Sequence, residues 1–561
     1  MINWFTWITL SIVFFFTCMT VYHYASKATP AYVYFFVFVG YLLSFSLLVL
    51  LPYDIYLALD SEGKELDQKA IYTTWRLVYW TVFALCWLVL PVIQEYEMSG
   101  EFKPYARLKT AVYRHFRFFV IMMSLGSLAV VYLFIEGKLT FRTLPAFLVV
   151  LSNCWGLFII IVLLGYGLVA IPRAFWDQAD LELTLRHKQV QVVALEEGVI
   201  DTKFELDEIV KLVHAASYKI SNTSELHSVL EEILLKCPME MIERQKAMAR
   251  HNSRETLNEL GEVTMGRLVS LHKDLKKTLS EYHRSKCRLE QHLEEIFALE
   301  DIVNSLNNSE ERIVYSSQSR NSKLTFVVQR LEWYWFTYIR SKACKACAVV
   351  FTVLSVLVVL GEVTLFMSAP IGLFPLLFKE SHGAVGTQLL CFFPLLYILL
   401  CTNFGLFNLK LSGWYGLYRH NQTDPSNLAW SAYYLARLTA PLSYNFLHFI
   451  KVEDTQFYRV MGVIDVIPVV GNEFALFFPL LLVVFCALNY FHVYGKVMKS
   501  LGLTQFSFSD KFDQEKVKEA KAIIDRERTN RETTLNHNRG NKRKIELIDS
   551  RNMPLQNSFN I

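Results

Sequence analysis

Nine stretches of this chain, at residues 4–25, 31–52, 75–94, 113–135, 144–171, 344–368, 386–407, 430–450 and 474–494, are dominated by apolar side chains. Each is near or above the roughly 20 residues that carry an α-helix, at about 1.5 Å per residue, across a hydrocarbon core. Lipid offers the backbone no hydrogen bonds, so a segment that crosses it must satisfy its own N–H and C=O groups, and a helix does so. The expected fold class is all-α: a polytopic helical membrane protein with nine transmembrane helices, five in residues 1–171 and four in residues 344–494. The stretch 430–450 is the weakest, because Arg437, Pro441, Asn445 and His448 interrupt it. It is read as a span facing a polar interior. The alternative is an amphipathic surface helix, which leaves eight spans and moves the C-terminus across the bilayer.

Composition agrees: 53% of the residues are hydrophobic and only 19% are charged, which excludes a disordered chain. A net charge of +4 is too balanced for a nucleic-acid partner. Residues 4–25 lack a basic leader and a small-residue cleavage site, so they are expected to stay as an anchor. Basic residues near span ends set the orientation. Lys103, Arg107, Lys109, Arg114 and Arg117 follow span three, Arg173, Arg340, Lys342 and Lys345 flank the hydrophilic middle, and Lys496 and Lys499 open the tail. Residues 53–74 instead hold Asp54, Asp60, Glu62, Glu65 and Asp67 against Lys64 and Lys69. The N-terminus is therefore expected outside or in a lumen, with the middle and the tail in the cytosol. The proposed outside loops contain no cysteine, and the sequons at Asn222, Asn307 and Asn421 all fall on the cytosolic side.

Residues 172–343 read as a cytosolic helical and coiled-coil insertion, with 24 basic and 27 acidic residues and little glycine or proline. From about 257 to 303, Leu257, Leu260, Leu268, Leu271 and Leu275 keep three-four spacing, and Leu279, Tyr282, Leu289, Leu293, Ile296 and Val303 resume it after a phase shift. Such a seam packs either in a hairpin with residues 181–219 or against a partner or second copy. Residues 304–323 read as a polar linker open to phosphorylation. Trp333, Tyr334, Trp335 and Phe336, ahead of Arg340, Lys342 and Lys345, read as an interfacial helix feeding span six. Cys344 and Cys347 beside those bases are lipidation candidates; no second metal-spaced pair accompanies them. The tail, 495–561, is expected to be a solvated charged segment, helical over Lys511–Glu532.

A polar group inside hydrocarbon costs free energy unless a cavity or partner receives it, so such groups are the ligand-binding or cavity candidates. They are Asn153, Glu362, Arg437, Asn445 and His448. By helical rise, Glu362 lies roughly 27 Å along span six while Arg437 is only about 10 Å into span eight, so the two should not pair. Asn445 and His448 reach the level of Glu362; the sharper reading is a pH-sensitive Glu362–His448 contact, and the favoured alternative is separate helix-packing hydrogen bonds. Gly361, Pro370, Pro394, Pro441 and Pro479 punctuate these spans and favour a polar cavity there. No phosphate loop, HExxH or GxSxG motif occurs, Gly165 and Gly167 sit in an apolar run where they serve packing, and no catalytic residue, metal or cofactor is called for.

Several stretches together resemble the limb region 1-like (LMBR) membrane protein family: Trp75–Trp80, Asn153–Leu157, Leu164–Leu168, Ile171–Arg173, His420–Asp424, Arg437–Leu442, Asn445–Leu447, Phe478-Pro479 and Leu501–Phe506. Gln422–Asp424, Arg437–Asn445 and Leu501–Phe506 are most similar to its LMBR-domain-containing type 2 subfamily. The resemblance implies nine spans, an outside N-terminus and a long cytosolic middle. It also points to regulation of G-protein-coupled receptor signalling; with the coiled coil, the tail and the absence of catalytic motifs, the leading expectation is a non-enzymatic receptor-like protein or signalling regulator that recruits a membrane receptor or cytosolic signalling partner through its cytosolic helices. The rival expectation is a transporter or carrier of a lipid or small molecule. The plasma membrane is the expected site, an endosomal or lysosomal membrane the alternative.

Overall fold

In the computed structural model the described residues are 4–59, 65–221, 225–247, 261–306, 311–315, 324–363, 383–408, 416–461, 471–491 and 517–531, apart from single positions within them. They are helical throughout, with no strand beyond an isolated bridge between Ala25 and Thr423. In chain order the helices are α1 (Trp4–Tyr24), α2 (Ala31–Leu59), α3 (Glu65–Met98), α4 (Pro104–Ile135), α5 (Leu144–Asp177), α6 (Leu181–Lys219), α7 (Glu225–Lys236) and α8 (Met265–Ser305). Then come α9 (Leu324–Tyr334, continued by a π turn into Arg340–Val363), α10 (Gly383–Asn408), α11 (Pro425–Ile450), α12 (Gln456–Met461), α13 (Gly471–Tyr490) and α14 (residues 517–531).

Seven helices among the described residues are long and apolar enough to cross a membrane, covering the first seven expected spans. The remaining two runs are α11 and α13, both helical; α11 is too polar and α13 is described in full only from Leu480. The burial of α11 explains its composition. It is the weakest apolar run, yet Leu428, Ala432, Ala436, Leu442, Tyr444 and Phe446 are all 1% exposed or less. A helix sheathed by protein need not carry lipid-compatible side chains on every face. Gly40 of α2 meets Ala432, Gly156 of α5 meets Pro441, and Gly361 of α9 meets Phe449. Conversely α4 buries only Ala111, and its apolar surface is open.

The chain divides into two units. The first holds residues 1–176, 204–284 and 342–504. Its second apolar core joins Val210 and Val213 of α6 to Ile233 of α7 and to Leu268, Leu271 and Leu275 of α8. The leucine seam is thus buried within the chain against α6, as in the hairpin alternative; Leu257 and Leu260 lie outside the described residues. The other unit holds residues 177–203, 285–341 and 505–561. There Val192, Leu293, Ile296 and Phe297 pack with Ala520, Ile523 and Ile524 of α14. This corrects the expectation of a solvated tail: Ala520, Ile523 and Ile524 recur at three-four spacing and bury one face of α14. The linker is likewise partly docked, with Ile313 and Trp333 buried together and the Trp333 indole donating to the Ser305 carbonyl at 3.0 Å.

Candidate functional site in the membrane bundle

The first unit presents two sets of loops, one at each end of its membrane helices. At one end, the Asn421 amide donates to the carbonyls of Tyr22 and Ala25, at 2.5 and 3.0 Å. Asp424 caps α11 by accepting from the Asn427 N–H at 3.3 Å, and Arg284 of α8 reaches Asp424 at 3.8 Å while lying 4.4 Å over the Tyr418 ring. Nearby, α8 holds the segment after α3. Lys276 donates to the Glu97 carbonyl at 2.5 Å, and His272 Nδ1 donates to the Gly100 carbonyl at 2.7 Å. His272 Nε2 then accepts from Lys236 at 3.0 Å, and the ring stacks on Phe102 at 4.6 Å. This arrangement requires the neutral imidazole with its proton on Nδ1. Burial, reinforced by the Lys236 charge, lowers the His272 pKa below the usual 6.5, against the opposing effects of Gly100 and Glu232.

At the other end stands Asp54, 1% exposed. Its carboxylate accepts from the Trp75 indole at 2.9 Å and from the backbone N–H groups of Gln456 and Phe457 at 3.0 and 2.8 Å. Sequence reasoning read Asp54 as an outside-loop charge, whereas α2 runs on to Leu59 and folds Asp54 inward. The available signal was its position directly after the apolar run and Pro52.

Between these ends, α11 carries Arg437, Asn445 and His448. The Arg437 guanidinium donates to the Tyr433 phenol one turn back and lies 5.7 Å from that ring and 6.0 Å from the Trp87 ring. Trp87 belongs to a π turn, Leu85–Val89, in which the Leu90 N–H reaches back to the Leu85 carbonyl. A wider turn changes the register of the backbone ladder. Here the Trp87 carbonyl takes a hydrogen bond from His115 of α4 at 2.9 Å, and the Cys86 thiol reaches the Tyr433 carbonyl at 3.7 Å. The cation is thus held by aromatic faces and a phenol.

Asn445 lies eight residues beyond Arg437, about 12 Å of helical rise. Glu362 and Asn445 are 1% and 3% exposed. Neither Glu362 carboxyl oxygen nor the Asn445 amide nitrogen has a hydrogen-bond partner of normal geometry among the described residues. Asn445 is the polar side chain that acts on the Glu362 carboxyl. The approach of α9 to α11 at Gly361, where a Cβ would stand 2.1 Å from Phe449 Cε2, brings them together. Leaving a buried polar group of this kind unsatisfied costs about 1–3 kcal/mol. The expected Glu362–His448 hydrogen bond is not formed: His448 is exposed, its ring 6.2 Å from that of Tyr458. The Asn153 side chain lies outside the described residues; α5 contacts α11 one turn later, at Gly156 and Pro441. Cys344 and Cys347 are free thiols at the start of the membrane portion of α9, and Cys347 is exposed.

Comparison with known proteins places this geometry. The family model described as "LMBR1-like membrane protein" matches residues 2–494. LMBR1 domain-containing protein 2 homolog A of Dictyostelium discoideum is 28% identical, over 90% of this chain and 75% of its own. The G-protein coupled receptor-associated protein LMBRD2 of Homo sapiens is 28% identical, over 82% of this chain and 69% of its own. The LMBR1 domain-containing protein 2 homolog of Drosophila melanogaster gives the same figures. No solved structure matches. The matched region runs from the first apolar helix to the last and takes in both the Asp54 end and the Arg437–Asn445 stretch of α11, so this multi-pass helical protein belongs to the LMBR1-like membrane protein family.

Proposed function

We propose that this chain is a receptor-associated membrane regulator, without catalytic activity of its own, that recruits signalling partners through the helices of residues 172–343. Relatives named as G-protein coupled receptor-associated proteins support the receptor side of this reading. The observation that carries it is the engagement of α8 with both Glu97–Gly100 and Asp424. A partner that shifts α8 therefore acts on the end of α3 and on the start of α11. In this reading the chain has nine spans, with α11 and α13 as the eighth and ninth. The α8 end of the bundle faces the cytosol, the Asp54 end faces outside, and the plasma membrane houses the protein. In this reading the five-span half, 1–171, and the four-span half, 344–494, form the membrane part, and the insertion, 172–343, with the tail segment packed on it, forms the recruiting part.

The test is co-purification of a G-protein-coupled receptor expressed with the chain. Replacing Lys276 and Arg284 by Glu should lower recovery about tenfold, the effect of roughly 1.4 kcal/mol. Membrane yield and melting temperature serve as controls. Unchanged recovery rejects the reading.

The second reading, a carrier of a small molecule or lipid, is favoured by the unsatisfied Glu362–Asn445 pair. It expects Glu362→Gln to abolish transport while leaving receptor recovery intact.

A further inference from the structure

Segment 517–531 occupies a groove whose chemistry defines what else would fit. The floor is apolar: Val192 and Val193 of α6, and Leu293, Ile296 and Phe297 of α8. The rim is acidic. Arg526 pairs with Glu196 on the α6 side and Arg528 with Glu300 on the α8 side, while Arg531 lies 3.8 Å from Glu294. The guanidinium carbons of Arg528 and Arg531 also stand 5.2 and 5.1 Å from the Phe297 ring centroid. Helical spacing accounts for this distribution. Ala520, Ile523 and Ile524 share one face, Arg526 and Arg528 fall on its two flanks, and Arg531 continues the apolar stripe two turns on.

The two sides of the contact differ in how firmly they are built. Glu196 and Glu300 are each 18% exposed, and Gln189 donates to Glu300 at 2.9 Å without help from the tail. The arginines that cover them are 57% and 45% exposed. On the receiving side Glu300 thus has a partner of its own on α6, whereas the guest is held by Ala520, Ile523, Ile524 and a set of solvent-facing ion pairs. Exposed pairs of this kind contribute little and are weakened by salt.

We propose that this groove is a docking site for an arginine-bearing amphipathic helix of a partner protein, and that the chain's own segment 517–531 occupies it in cis until such a helix displaces it. The proposal rests on the reading that the helices of residues 172–343 recruit partners, and names the surface and the partner's chemistry. The partner helix carries adjacent apolar residues at the Ile523-Ile524 positions and arginines two, four and seven residues after the second of them.

A labelled peptide of residues 511–532 is the probe, titrated onto the full-length protein in detergent. Ile523→Asp with Ile524→Asp in the chain expels the tail. That variant should bind the peptide at least about tenfold more tightly than the unaltered protein, whose tethered tail competes at a high effective concentration. Because groove substitutions can damage the fold, specificity is tested by charge exchange. With the tail expelled, Glu196→Arg with Glu300→Arg should lose the peptide and regain it when the peptide carries Arg526→Glu and Arg528→Glu. Equal binding to open and closed chains, no binding to either, or failure of the exchange would overturn the proposal. Receptor recovery is measured on the same proteins. A peptide that behaves as expected while receptor recovery stays the same on tail expulsion upholds the groove and counts against receptor recruitment. Failure of the peptide with receptor recovery intact removes the groove alone.

Discussion

Asp54 and His272 show how single side chains join segments far apart in the chain. Asp54 connects α2 to backbone groups 402 and 403 residues away, and its neighbour in that contact is the Trp75 indole. Asp54→Ala leaves three buried donors without an acceptor, so it should cost about 2–4 kcal/mol, read as a lower melting temperature in detergent. Asp54→Asn keeps one carbonyl oxygen and should cost less; equal losses would mean that volume rather than hydrogen bonding matters there. For His272, the folded pKa lies below the unfolded value near 6.5, so the unfolded chain binds more protons between the two. Its contribution is complete above pH 6.5 and is lost as pH falls through the lowered folded value. Protection factors at Gly100–Phe102, the amide exchange rates referred to the intrinsic rate at the same pH, should fall on going from pH 7.5 to 5.5, and this fall should vanish in His272→Gln. The same protection factor at both pH values in the unaltered protein would contradict the neutral-imidazole assignment.

At the scale of helices, glycines set how closely the bundle closes. A Cβ on Gly167 would stand 2.1 Å from the Cys401 carbonyl oxygen, a backbone atom that moves only with α10. A Cβ on Gly361 meets Phe449 at the same distance, but at the far edge of a ring that can turn. On exposed α4, Gly126 has nothing within 4 Å. Overpacking costs about 1–3 kcal/mol, and Ala in an open helix gains up to roughly 1 kcal/mol over Gly. Melting temperatures should therefore rank Gly126→Ala highest, then Gly361→Ala, then Gly167→Ala; a Gly167→Ala protein as stable as the parent would show that α5 and α10 are less tightly joined. The glycines at 165 and 167 thus serve packing, as expected from their apolar setting, with Gly165 against Phe485.

Across the whole molecule, the two ends of the first unit assign loops to faces that hydropathy alone treats one at a time. The segment around Ala25, the segment after α3 and the start of α11 share the end held by α8, whereas Asp54, Trp75 and Gln456 share the other. Under the proposed orientation Asn421 stays unglycosylated in cells, and a sequon introduced at residues 60–64 is glycosylated. The reverse pattern, read as a mass shift removable by a glycosidase, would invert the topology. The legible part of this fold was the part with a local cause. An apolar run of span length predicts a membrane helix, and leucines at three-four spacing predict a buried seam, whatever lies elsewhere. Hence the membrane-length helices and the existence of a buried seam could be read directly, whereas its partner, α6, stayed one of two alternatives, and Arg437, Asn445 and Glu362 could be picked out only as polar groups in the wrong solvent.

The amino-acid order by itself determined that the chain is all-helical and where its apolar, membrane-length helices lie, because backbone hydrogen bonding and side-chain hydropathy act over a few turns. Only the tertiary structure decided that the least apolar run lies sheathed at the centre of the bundle. Only it showed that Glu362 and Asn445 are buried while His448 is exposed, and that Asp54 binds a segment four hundred residues on. The tail's arginines likewise found their carboxylates on helices remote in sequence. These outcomes depend on which surfaces meet, and a one-dimensional pattern records what a face is made of without recording what it will touch.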